Sequence, residues 1–77
     1  MNSTEILLDA MKERGYTQTL LAKEAGYKRQ SNVSEILRSK SMQVDNFVKL
    51  LNTMGFDVIV KDRTTNNLSW VVGTEQK

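Results

Sequence analysis

Residues 17–37 read TQTLLAKEAGYKRQSNVSEIL, and the fold turns on how this stretch is parsed. Thr17 carries a side-chain oxygen that can accept from the first turn of a helix, so it opens one over "QTLLAKEA". Leu20 or Leu21, with Ala22 and Ala25, supplies its buried side. Gly26 closes it, since a residue without Cβ enters the left-handed turn at no steric cost. A second short helix follows over about Gln30 to Arg38, with Val33, Ile36 and Leu37 turned to the core. Two short helices joined through a glycine turn make a helix-turn-helix unit.

The spacing from Val33 to Ile36 commits one face of the second helix to packing. Gln30, Ser31, Ser34 and Glu35 cannot all share that face, so the polar start of the helix is left outward, beside Lys28 and Arg29. A helix N-terminus is favourable near a phosphate. Amide side chains pair with adenine in bidentate fashion, and serine bonds several base edges. Lysine and arginine attract phosphate, and arginine also pairs with guanine.

The net charge of +2 gains meaning once divided along the chain. Residues 1–22 carry Lys12 and Arg14 against Glu5, Asp9 and Glu13, a sum of −1. Residues 23–40 carry Lys23, Lys28, Arg29, Arg38 and Lys40 against Glu24 and Glu35, a sum of +3. Residues 41–77 balance at four and four. The whole excess lies on the helix-turn-helix, where it is either a solvated face or a patch that attracts polyanions.

Outside this segment the chain divides into short elements. Residues 3–14 form a first helix capped by Ser3 or Thr4, with Ile6, Leu7, Ala10 and Met11 on one face and Gly15 at its end. "SKSMQ" is a polar loop. A fourth helix runs from about Val44 to Met54, with Val44, Phe47, Val48, Leu51 and Met54 inward and Gly55 as terminator. The period then changes from 3.6 to 2. "FDVIVKD" sets Phe56, Val58 and Val60 on one face, "RTTNN" turns the chain, and "LSWVV" sets Leu68, Trp70 and Val72 together, giving a β-hairpin over about 56–72. Residues 73–77 read as a frayed tail. The organisation is thus a helical domain over 1–55, with the helix-turn-helix at about 17–38, then the hairpin and tail.

Seventy-seven residues bound this to one small domain, whose core alone supplies about 3–5 kcal/mol. With no cysteine and no histidine, the chain lacks disulfides and the commonest metal ligand and general base. Asp57 and Asp62, on a strand but five apart, fall on opposite faces and do not form a carboxylate pair. The expectation is a protein that is not an enzyme and needs no cofactor or metal. No apolar run exceeds three residues, and "MNSTEILLDAMK" carries acids within its apolar stretch and no basic leader. A cytoplasmic protein without a membrane partner is expected.

These residues resemble the Cro/Xre family of helix-turn-helix DNA-binding proteins, which includes phage repressors and many antitoxins. The family's pattern is Thr-Gln, two variable residues, Leu-Ala, three variable residues, Gly, then a stretch ending in an aliphatic residue followed by Ser. Thr17-Gln18, Leu21-Ala22, Gly26 and Val33-Ser34 match it in order, and the likeness covers about residues 5–55. From Gly26 to Val33 is seven positions, one more than is usual, so the start of the second helix is read near Arg29 or Gln30 rather than copied.

The resemblance implies a mainly α, four-helix, lambda-repressor-like domain from a prokaryote or phage, here with a C-terminal hairpin. It implies a sequence-specific transcriptional regulator, a dimeric repressor that reads double-stranded DNA through residues 30–38. Gln18 is then a phosphate contact, unless it merely completes the helix start. Arg29, Gln30, Ser31, Asn32 and Ser34 are the base-contact candidates, although Asn32 beside Val33 and Ser34 against the neighbouring helix have packing roles open to them. Lys28, Arg38, Lys40 and Ser41 are further phosphate candidates. Tyr27 packs over the turn.

A dimer places two reading helices about 34 Å apart on an inverted repeat. The hairpin, with free edges and apolar residues on both faces, offers Val58, Ile59, Val60, Trp70 and Val72 for that contact; packing back on its own helices is the alternative. An antitoxin that also binds a cognate toxin, or an interaction module without DNA, are the competing functions on the same fold.

Overall fold

The computed structural model describes residues 1–65 and 67–73; Asn66 of the expected turn and residues 74–77 of the expected tail lie outside it. Among the described residues the chain forms α1 (Ser3–Arg14), α2 (Gln18–Ala25), α3 (Gln30–Arg38) and α4 (Val44–Thr53), followed by β1 (Val58–Lys61) and β2 (Ser69–Val72). The architecture is mainly helical with one two-stranded antiparallel sheet. None of these helices is long and apolar enough to cross a membrane.

The helix ends follow local chemistry. Thr17 caps α2 as expected, its Oγ1 accepting from the Leu20 N–H at 3.1 Å. At α1 the expectation of Ser3 or Thr4 is corrected to Asn2. The Asn2 Oδ1 accepts from the Glu5 N–H at 2.8 Å, and the Glu5 carboxylate accepts in return from the Asn2 N–H at 3.0 Å. The reciprocal box needs cap and acid three residues apart, and only Asn2 stands at that distance from Glu5. Thr4 is freed to donate to the Leu37 carbonyl, linking α1 to the end of α3.

Gly26, at φ 87°, ends α2 in the left-handed conformation that a side chain would strain. The Tyr27 N–H then donates back to the Ala22 carbonyl at 2.9 Å, while the tyrosine ring packs against the core. The same glycine–aromatic stop recurs at Gly15-Tyr16 and Gly55-Phe56, whose aromatic N–H groups return to Met11 and Leu51. Each stop satisfies an orphan carbonyl and packs its ring against the core.

Leu7, Leu21, Val33 and Leu50 are fully buried and centre the core, each worth about 1.5–3 kcal/mol of burial. Leu21 rather than Leu20 is the inward residue of α2, while Leu20 stays 37% exposed. The inward face of α4 requires a second correction: Val44 is 66% exposed and Leu50 is fully buried. α4 touches α1, α2 and β1, so its apolar arc is wider than one amphipathic stripe and takes in Leu50. Its first turn instead borders an open groove beside Met42, Gln43 and Asn46.

Arg14 closes the far end, its Nε donating to the Met54 carbonyl at 3.0 Å and its guanidinium lying 4.0 Å from the centre of the Phe56 ring. It thereby satisfies a carbonyl at the end of α4 and fixes where the hairpin leaves the helices.

In the hairpin Val58 pairs with Val72 and Val60 with Trp70 on one face, and Ile59 with Val71 and Lys61 with Ser69 on the other. Val58 is half-buried against the core and its partner Val72 is half-buried beside it, yet Val60 and Trp70, on the same face, are 49% and 59% exposed. The base of the hairpin packs on its own helices and the outer half overhangs them. At the turn, Asp62 accepts from the Thr64 and Thr65 N–H groups and from the Thr65 hydroxyl. These donors hold its carboxyl below the ordinary carboxylate value.

Candidate nucleic-acid interface

The face in question is built by α2, the four-residue turn Gly26–Arg29 and α3. Because α3 buries Val33 and leans Ile36 and Leu37 on the core, its first turn is forced outward. Lys28, Arg29, Gln30 and Ser31 are all exposed. The extra turn residue leaves the helix starting at Gln30, with Arg29 as its cap position.

Arginine has no acceptor with which to cap a helix. The start of α3 is secured instead by Asn32, whose Oδ1 accepts from the Arg29 N–H at 3.2 Å while its own N–H donates to the Arg29 carbonyl at 3.1 Å. The half-buried Asn32 therefore acts on its own backbone, and its carbonyl oxygen is spent there. Ser34 is likewise half-buried and donates to the Ser31 carbonyl at 3.2 Å. Both remain at the edge of the face, while the freest side chains of the first turn are Arg29, Gln30 and Ser31.

Gln30 and Gln18 meet. The Gln30 amide nitrogen donates to the Gln18 side-chain oxygen at 3.4 Å, a long bond between the first turn of α3 and the first residue of α2. An amide nitrogen has two hydrogens. Gln30 thus keeps one N–H and its carbonyl oxygen, the pair that a bidentate contact with adenine uses, and Gln18 keeps its own amide nitrogen for an anion. Gln30 also lines a concavity of about 260 Å³ between α2 and the turn, with Thr19, Lys23, Lys28 and Arg29. Ala22 and Tyr27 complete the lining, so three of its six other residues are basic.

On its opposite side α3 borders a larger groove of about 410 Å³ toward the loop and α4, lined by polar residues that include Asn32, Ser39, Ser41, Gln43 and Asn46. Ser41 is exposed there, its N–H accepted by the Ser39 Oγ at 3.2 Å, and Arg38 and Lys40 are exposed nearby in sequence. No side chain caps α4 at Gln43, so its first amides are open to water or an anion.

Gln43 and Asn46 escaped the sequence reading. Asn46 accepts from the Tyr27 hydroxyl at 3.2 Å, and the Lys49 ammonium sits 4.4 Å from the centre of the Tyr27 ring. The half-buried ring braces the turn against α4, and its burial raises the phenol's pKa. Tyr27 therefore positions the turn rather than offering a ring for stacking. The only signal for Asn46 was its place near the start of α4, which nothing linked to Tyr27.

The residues assigned to a dimer contact, Val58, Ile59, Val60, Trp70 and Val72, all lie on the hairpin, well separated in the chain from α2 and α3. Comparison with known proteins adds no constraint: no family model, no curated protein and no solved structure matches the chain.

Proposed function

We propose that this protein is a sequence-specific DNA-binding regulator of the Cro/Xre helix-turn-helix type, acting as a dimeric repressor. The observation that carries the reading is the Gln18–Gln30 pair at the exposed start of α3 among Lys23, Lys28 and Arg29. A glutamine held by a second glutamine has lost part of its rotamer freedom before it meets a base. The surrounding cations supply the sequence-independent attraction, and the amide supplies the discrimination. α3 is the reading helix, Gln18 and the basic residues set its register on the phosphates, and Arg38, Lys40 and Ser41 extend that contact at its far end.

The test is titration of wild type and Gln30→Ala on a cognate site and on unrelated DNA. The variant loses about 1–3 kcal/mol on the cognate site and almost nothing on unrelated DNA. Equal loss on both removes Gln30 from base reading. In the same assay Arg38→Ala lowers the slope of affinity against salt by about one unit if it meets a phosphate.

A further inference from the structure

We propose that the overhanging half of the hairpin docks on a second copy of this chain, tip to base, in an acid-rimmed cleft between α1 and the start of β1. The inference deepens the dimer half of the preceding reading, rests on that half alone, and comes from two features of the fold that no role in DNA binding explains.

The first feature is the overhang. Val60 and Trp70 share a face with the half-buried Val58 and Val72, yet both stay exposed among the described residues. Just beyond them the tip carries Lys61 and Arg63, both exposed. The intervening Asp62 has its carboxylate engaged by Thr64 and Thr65. The tip therefore carries a net single positive charge next to an apolar surface: Lys61 lies on the opposite face from Val60 and Trp70, Arg63 lies at the turn, and Asp62 stays ionised.

The second feature is a cleft of about 320 Å³ at the opposite end of the hairpin. Its floor is apolar, from Ile6, Leu51 and Phe56. Its rim is acidic, from Asp9, Glu13 and Asp57. One cation, Arg14, lies on the Phe56 ring and donates to the Met54 carbonyl; it offsets one of the three acidic charges and leaves the rim net negative. The acidic rim repels nucleic acid and suits an apolar group flanked by cations.

Surface and complement are thus on the same chain, at opposite ends of one short hairpin. A two-fold dimer requires that if one residue touches another across the axis, the reverse contact also forms. Antiparallel hairpins satisfy this twice, each basic tip meeting the partner's acidic base while Val60 and Trp70 cover the apolar floor. The parallel alternative sets base against base and tip against tip, placing like charges together. Tryptophan at the centre of such a contact supplies large apolar area with few rotors.

Two charge-reversed full-length chains test the arrangement. One carries Lys61→Glu with Arg63→Glu; the other carries Asp9→Lys with Glu13→Lys. All four substituted residues are exposed, and far-UV circular dichroism checks that both variants fold. By sedimentation equilibrium without DNA, each variant alone dimerises about tenfold more weakly than wild type, because tip and base now carry the same sign. Their equimolar mixture regains wild-type affinity as a heterodimer. Trp70→Ala weakens the wild-type dimer without altering the spectrum.

The proposal is overturned if wild type stays monomeric at about 1 mM, if both variants self-associate as wild type does, or if the mixture is no tighter than its components. A chain that dimerises in this way yet ignores DNA overturns the DNA reading and leaves this one standing. A chain that binds DNA while the mixture forms no heterodimer overturns this one alone.

Discussion

The helix-turn-helix and the hairpin treat apolar and polar side chains in opposite ways. In α2 and α3 the apolar residues Leu21, Ala22, Ala25 and Val33 are buried and the polar start of α3 is exposed. In the hairpin Ile59, Val60, Trp70 and Val71 are exposed, and only the base rests on the core. The first unit satisfies its own packing and has polar groups to spare. The second leaves apolar area uncovered. In the account proposed above, the first faces DNA and the second faces another copy of the chain.

The comparison breaks most visibly under substitution of a large side chain in each unit. Leu21→Ala, at a fully buried site, costs about 2–5 kcal/mol in urea unfolding, a large share of the stability of so small a domain. Trp70→Ala, at a site 59% exposed, costs no more than about 0.5 kcal/mol when both chains are kept dilute enough to be monomeric. Comparable costs at the two sites would make the hairpin part of the core.

A smaller effect comes from the start of α2. Thr17→Ala removes the acceptor of the Leu20 N–H and lowers stability by about 1 kcal/mol, measured by thermal or urea unfolding. A neutral result would place the stability of the helix-turn-helix in its packing alone.

The smallest effect concerns the hairpin turn. The Asp62 carboxyl is held below its ordinary value by the Thr64 and Thr65 N–H groups and the Thr65 hydroxyl. A depressed carboxyl stabilises fully above its unfolded-state value and loses that contribution as pH falls through the lower folded value. Trp70, the only tryptophan, lies on β2, so its fluorescence reports the hairpin. Acid titration followed at Trp70 shows hairpin order lost as pH falls through the lowered Asp62 value, an order that Asp62→Ala already lacks at neutral pH. Identical profiles would show that the turn does not depend on this charge.

Much of the helix-turn-helix was legible in the sequence because its signals are local. Thr17, Gly26 and the spacing of Val33 fix caps, turn and facing within a few residues, and α3 has the limits that the sequence reading gave it. The extra residue in the turn is absorbed before the helix begins, with Asn32 supplying the cap that Arg29 cannot. What was not legible depends on several elements at once. Leu50 is buried because α4 packs on more than one neighbour, a fact no single helical stripe contains. Asn46 matters only because Tyr27 folds over to it, and Arg14 only because Met54 and Phe56 arrive beside it. Gln18 and Gln30 are each candidates from the sequence, but their meeting lies across the turn, where spacing alone does not give distance. The three glycine–aromatic stops are adjacent pairs in the sequence, but the return bond they share depends on backbone geometry that adjacency does not give.

Whether the exposed start of α3 reads DNA is decided by selecting bound sequences from a random double-stranded pool. The expected pool is enriched in an inverted repeat whose half-sites are centred about one helical turn, roughly 34 Å, apart, and Gln30→Ala loses that enrichment. A pool that emerges without an enriched sequence would contradict DNA reading by α3.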